Sequence, residues 1–111
     1  MKLTCEDYDQ LCVVAMRGDL TDEDSDRFRN AMDERMGKDI RDFVLNVAEV
    51  EAIDSRGVES LLWLQDQSAE MLGQVRLAGA TPTLMEVLRV TRLSGRFDCH
   101  ENVDAAIASL R

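Results

Sequence analysis

The chain has a single histidine, a single proline, one tryptophan and one tyrosine, and its three cysteines contain no Cys-x-x-Cys pair. His100 has no carboxylate or second ligand at metal spacing, so neither a catalytic triad nor a metal centre assembles around it, and it reads as a surface or strand-edge residue without a role. An odd set of cysteines, Cys5, Cys12 and Cys99, excludes a complete disulfide framework. All three fall in strand-like segments and read as small apolar fillers. Cys5 and Cys12 are placed to face each other across a hairpin, but a bond between them is not expected in a reducing compartment. A glycine-rich phosphate loop is also missing, so the sequence points away from an enzyme, and no metal or cofactor is expected.

Positive charge is scarce as well. Thirteen basic residues against 22 acidic ones leave a formal charge of −9, which repels nucleic acid and anionic membranes and favours a protein partner. No apolar run approaches the roughly 20 residues that span a bilayer. The opening Met1-Lys2-Leu3-Thr4-Cys5-Glu6-Asp7 lacks the apolar stretch of a signal peptide, so a cytoplasmic location is expected.

What is present is the composition of a folded globular chain: 45% hydrophobic and 32% charged over 111 residues, long enough for one core, so residues 1–111 are expected to form a single domain. Leu3-Thr4-Cys5 and the apolar run Leu11–Met16 predict an opening hairpin around a polar turn, Glu6–Gln10, with Gly18 ending the second strand. Thr21, followed by Asp22, Glu23 and Asp24, predicts a helix with a hydroxyl N-cap; Phe28, Ala31, Met32 and Met36 face inward until Gly37 stops it. Strands and helices then alternate. A central strand is predicted at Phe43–Val47, a helix from Arg56 to Leu72 with Gly73 as C-cap, and a strand over Gln74–Ala78. A helix opens at Thr81-Pro82 with Leu84, Met85, Val87 and Leu88 inward, a short strand follows at Phe97–His100, and helical spacing runs from Val103 to Leu110. Such alternation favours right-handed crossovers and largely parallel strands.

The most informative stretch is Asp54-Ser55-Arg56-Gly57, between the central strand and the following helix. It puts the Ser55 hydroxyl at a helix N-terminus, beside a carboxylate and before unpaired N–H groups, where a phosphate has a large local effect. Ser and Asp before a helix are also ordinary caps. Asp54 either caps the helix or orients the serine hydroxyl; Gly57 either permits close approach of a partner or only makes a tight turn. On that helix Val58, Leu61, Leu62, Ala69 and Leu72 share a predicted inner face. Trp63 falls nearly opposite, as an interface residue or as a ring lying across its neighbours. Met16, Met32, Met36, Met71 and Met85 mostly keep apolar phases and read as core.

Leu45-Asn46-Val47, Ile53-Asp54-Ser55-Arg56-Gly57-Val58, Gly73 before a strand, and Arg92-Leu93-Ser94-Gly95 before the last strand together resemble, in order and over nearly the whole chain, the STAS domain of bacterial anti-anti-sigma factors (anti-sigma factor antagonists). The resemblance implies an α/β single-domain fold, a mixed central sheet of about five strands with about four helices packed on it. It implies a non-enzymatic partner-switching regulator in transcription and signal transduction. Such a protein binds an anti-sigma factor that is also a serine kinase, is released when Ser55 is phosphorylated, and is restored by a metal-dependent, PP2C-like phosphatase. By the same resemblance Ser55 is the phosphoacceptor; its neighbours Asp54, Arg56 and Gly57 and, from the helix projection, Trp63 complete the candidate partner-binding residues. Two positions depart from the family's usual pattern: Arg56 stands where a small residue is common, and Gly18-Asp19-Leu20 is followed by Thr21, with Asp22 one place late. The competing expectation is a STAS subunit that works without phosphorylation, in a lipid-transport ABC complex or a larger signalling assembly.

Overall fold

The computed structural model describes residues Met1 to Leu110. The elements run β1 (Lys2–Tyr8), β2 (Leu11–Leu20), α1 (Asp22–Met36), β3 (Asp42–Ile53), α2 (Ser55–Glu70), β4 (Val75–Ala78), α3 (Pro82–Val90), β5 (Asp98–His100) and α4 (Val103–Ala108). They form one mixed five-stranded sheet in the order β1-β2-β3-β4-β5, antiparallel in the first pair and parallel in the rest. This is the α/β architecture that the alternation of the sequence implies.

Strand follows strand across the sheet in one direction, and the three crossovers lay their helices on one face, as the usual right-handed connection does. The main core fills that face: Cys12, Val14 and Met16 of β2, Phe43, Leu45 and Val47 of β3, and Val75 and Leu77 of β4 meet Phe28 and Met32 of α1, Leu61 and Leu64 of α2, and Leu84 and Leu88 of α3. The alternate residues Val44 and Ala78 face the other side. There Ala106 of α4 covers them, with Leu11, Val13, Val103, Ile107 and Leu110 half-buried around it.

Several boundaries differ from the sequence reading. The hairpin turn is only Asp9-Gln10, with Asp9 at φ 55°, so both strands are longer than their apolar cores. β2 passes through Gly18 (φ 99°), where its register with β3 shifts, and ends at Leu20. β3 continues to Ile53 because Val50 is buried and Gly18 and Leu20 of β2 pair with Val50 and Ile53. Gly37 caps α1 in a right-handed conformation (φ −63°), and Asp39 takes the left-handed turn (φ 65°). Met85 is exposed rather than inward, and so is Cys99.

The inner face of α2 is corrected most. Its buried residues are Gly57, Val58, Ser60, Leu61, Leu64 and Ser68, whereas Ala69 is exposed and Leu72, past the helix end, is 85% exposed. Ser68 tolerates full burial because its hydroxyl donates to the Arg41 carbonyl, leaving no orphaned polar group. Gly73 is not the left-handed C-cap expected of it. Leu72 adopts that conformation (φ 63°), and Gly73 is required by close packing instead, since a Cβ there would sit 2.0 Å from the Arg41 carbonyl oxygen. The Gly73→Ala substitution therefore forces backbone apart and is expected to cost about 1–3 kcal/mol in urea unfolding. Gly95→Ala, which meets nothing within 4 Å, is expected to stay within about 0.5 kcal/mol of the parent.

Candidate functional site

Leu20 and Ile53 form the last parallel pair between β2 and β3, so the two strands end side by side and α1 and α2 start side by side. The Asp54 N–H donates to the Leu20 carbonyl at 3.3 Å and ties the two ends together. Each helix begins with N–H groups that have no intrahelical acceptor, and the positive ends of two macrodipoles converge there.

One carboxylate serves both. Asp54 is the N-cap of α2: its Oδ1 accepts the Gly57 N–H at 2.9 Å, while its Oδ2 accepts the Asp22 N–H, in the first turn of α1, also at 2.9 Å. Thr21 does occupy the N-cap position of α1 with extended backbone, but its side chain accepts no capping hydrogen bond. Its hydroxyl is 3.4 Å from Asp24 Oδ2 and donates to it, so the acceptor expected from Thr21 comes from Asp54 instead.

Gly57 is set by packing. A Cβ there would lie 2.2 Å from the Leu20 carbonyl oxygen and 2.7 Å from Ile53 Cγ1, so only glycine lets α2 start this close to the end of β2. Ser55 is the first residue of α2 and is exposed; because Asp54 performs the capping, the Ser55 hydroxyl is not needed to close the helix.

Arg56 points toward α1. Its Nε lies 3.6 Å from Asp22 Oδ1 and 3.9 Å from Glu59 Oε2, and its Nη2 lies 4.0 Å from Asp26 Oδ1. These pairs are solvent-exposed and of long reach, so they orient the guanidinium without contributing much stability. Arg56, Glu59 and Trp63 share the α1-facing stripe of α2 by their spacing. Trp63 is thus not opposite the packed face: it is half-buried at the α1–α2 seam, with the Arg29 guanidinium 5.6 Å from its ring centroid. Arg29 also donates to Ser60 Oγ at 3.3 Å.

Of the residues singled out from sequence, Asp54, Ser55, Arg56 and Gly57 gather at one point, and Trp63 lies two turns further along α2. Asp22, Asp26 and Arg29 join them from α1, which local patterning does not reveal because they meet α2 only through the tertiary fold. His100 ends β5 with its Nε2 buried and without a partner among the described residues, and stands apart from this site.

Loss of a cap costs about 0.5–2 kcal/mol, so Asp54→Ala, which uncaps two helices, is expected to lower unfolding stability by about 1–4 kcal/mol. Asp54→Asn keeps one acceptor and should fall between. Urea titration of the parent and both variants checks this, and equal midpoints for parent and Asp54→Ala would contradict the shared cap.

A family model described as STAS domain matches residues 2–106. Among solved structures, the anti-sigma factor antagonist SpoIIAA in its unphosphorylated form superposes with a TM-score of 0.87 at 18% identity, covering 99% of this chain and 96% of that one. An anti-sigma factor antagonist from Mycobacterium paratuberculosis gives 0.86 at 19% identity, covering 99% and 93%. The Bacillus cell fate determinant SpoIIAA in its phosphorylated form gives 0.79 at 19% identity, covering 99% and 100%. No curated protein matches the chain significantly. At such identities the superpositions establish a shared fold, and the family model, spanning β1 to α4, establishes that the chain belongs to the STAS domain family.

Proposed function

We propose that this STAS domain is an anti-sigma factor antagonist that switches partners through phosphorylation of Ser55. Unmodified, it binds an anti-sigma factor with serine kinase activity; phosphorylated, it lets that partner go, and a metal-dependent, PP2C-like phosphatase returns it to the binding form. It acts as a binding module in the control of sigma-factor-dependent transcription, and not as an enzyme. The observation that carries this reading is the division of labour at the start of α2: Asp54 caps the helix, which leaves the adjacent Ser55 hydroxyl exposed and unemployed by the fold.

The chemistry of that position supports a switch. A phosphoserine adds about −1.5 to −2 charges. At about 4 Å from a carboxylate and an effective dielectric near 20, repulsion is about 4 kcal/mol per unit charge. Asp54 and Asp22 supply such carboxylates, while the two helix N-termini and Arg56 offset them within the free domain. Buried against a partner, an incompletely paired dianion keeps a desolvation penalty of several kcal/mol. A net loss of about 3 kcal/mol already lowers affinity more than 100-fold. The gate is electrostatic and asks for little change of shape. Arg56, already shared among three acids, is the cation positioned to turn toward the phosphate.

Trp63, on the same stripe as Arg56, places an aromatic anchor at the edge of the proposed docking surface. As the sole tryptophan it reports on binding: its emission is expected to shift when the unmodified protein meets the kinase, and an unchanged spectrum in a formed complex removes Trp63 from the interface.

Incubation with the kinase and ATP is expected to add the mass of one phosphate, and the gain should vanish in Ser55→Ala. No gain, or one that survives the substitution, overturns the assignment of Ser55. Retention of an ATPase subunit equally by the parent and by Ser55→Glu would instead select the phosphorylation-independent role.

A further inference from the structure

The two edges of the sheet are unlike. At one side β5 is 3 residues long, whereas at the other β1 runs for 7 residues and pairs only with β2. The two-residue turn Asp9-Gln10 makes Tyr8 and Leu11 a hydrogen-bonded pair, so by alternation Lys2, Thr4 and Glu6 also direct their N–H and C=O groups at β2. Leu3, Cys5 and Asp7 direct theirs out of the sheet, at an edge that no strand covers. Such an edge is a template for another strand, and charges along it usually discourage pairing. On β1 the charges are opposite and symmetric: Lys2 and Glu6 each stand two residues from Thr4 on the same exposed face. Lys2 lies opposite Arg17, which is paired with Glu49 at 2.9 Å, and has no acidic partner of its own among the described residues. On the helix side, Leu3 and Cys5 are only half-buried.

We propose that β1 is a dimerisation edge whose partner is a second copy of this chain, the two β1 strands pairing antiparallel about a two-fold axis at Thr4. That axis sets Lys2 against Glu6 of the second copy and Glu6 against its Lys2, so one surface complements itself. Thr4 meets Thr4, and each of the two Leu3–Cys5 pairs exchanges its backbone hydrogen bonds. The direction of the backbone groups allows only registers that pair odd-numbered residues with odd-numbered ones. Among these, centring on Cys5 opposes Asp7 to Leu3 and leaves Lys2 against Tyr8; centring on Glu6 opposes two like charges. Centring on Leu3 shortens the ladder.

The helices do not obstruct this pairing. A two-fold axis perpendicular to the sheet keeps both helix layers on one side, and the two β2 strands then lie three strand spacings apart, about 14 Å. Because α1 connects β2 to β3, away from the edge, the two α1 helices, each about 10 Å across, stay clear of one another. Arg27 and Arg35 of α1 reach β1 at its two ends, on the Met1 carbonyl at 3.1 Å and on Asp7 at 3.3 Å, and leave Leu3 to Cys5 open between them. The groove between the helix layers buries the exposed sides of Leu3 and Cys5 from both copies. One strand edge is a small interface and each copy carries a formal charge of −9, so the dimer is transient and needs high concentration and screening salt. It uses no group of the Ser55 site and stands independently of phosphorylation.

The test is sedimentation velocity of the full chain at about 0.15 M salt, from about 10 μM to about 1 mM protein, with circular dichroism to show that each variant is folded. The parent is expected to move from monomer toward dimer across that range. Lys2→Glu and, separately, Glu6→Lys set like charges together on both sides of the axis and are expected to weaken association about 5-fold or more. Combined in one chain, the two substitutions restore opposite signs and are expected to return association to near the parent value. Thr4→Cys tests the register: thiols at the axis lie in a non-hydrogen-bonded pair with Cα atoms about 4.5 Å apart, within disulfide reach. Mild oxidation is therefore expected to give a covalent dimer joined through the introduced cysteines, identified by peptide mass. A parent that stays monomeric throughout, a dimer indifferent to Lys2→Glu, or a double variant as weak as the single ones overturns the proposal. So does a covalent dimer of the Thr4→Cys variant joined only through Cys5 or Cys99.

Discussion

A single carboxylate, Asp54, receives a free first-turn N–H group from each of two helices at once, and the geometry of the candidate site depends on that sharing. It is possible only because β2 and β3 run parallel and end in register at Leu20 and Ile53, which starts α1 and α2 next to each other. The same proximity excludes any side chain at Gly57 and makes Thr21 redundant as an acceptor. Sheet register, a glycine and one aspartate thus act together: change the register and α1 loses its acceptor, while the local cap of α2 by Asp54 remains.

This constraint separates structural work from chemical work at adjacent residues. Asp54 holds the backbone, and Ser55 carries an exposed hydroxyl that the fold does not consume. Around that hydroxyl negative charge prevails: two helix N-termini and Arg56 supply roughly two positive charges against the four carboxylates of Asp22, Asp26, Asp54 and Glu59. On the reading proposed above, a phosphate on Ser55 adds to this excess of like charge. On the proposed reading, the rigid helix start is what turns a small covalent change into a change of affinity.

Much of the fold was legible because its elements bury regular stripes. The apolar runs at Leu11–Met16 and Phe43–Val47 are core strands, and the Thr81-Pro82 start of α3 is capped as written, with Thr81 Oγ1 accepting the Leu84 N–H at 3.2 Å. The failures share a cause. Ser60 and Ser68 disguised the buried stripe of α2 because their hydroxyls are satisfied by backbone carbonyls of Arg56 and Arg41. Thr21 and Gly73 carried the usual signals for local caps, yet their surroundings, the Asp54 carboxylate and the Arg41 carbonyl, come from distant parts of the chain. Trp63 looked out of phase because α1, which supplies Arg29, covers that side of α2. In the candidate site, Asp54 through Gly57 were visible as a motif, but Asp22, Asp26 and Arg29 enter only once α1 packs on α2.

The most direct test of the account is calorimetric titration of the anti-sigma kinase with unmodified and Ser55-phosphorylated protein at one ionic strength, each form first shown by circular dichroism to be folded. Electrostatic gating at Ser55 predicts at least about a 100-fold weaker Kd for the phosphorylated form, a loss of about 3 kcal/mol, with unchanged secondary structure. Equal affinities of two folded forms would contradict it.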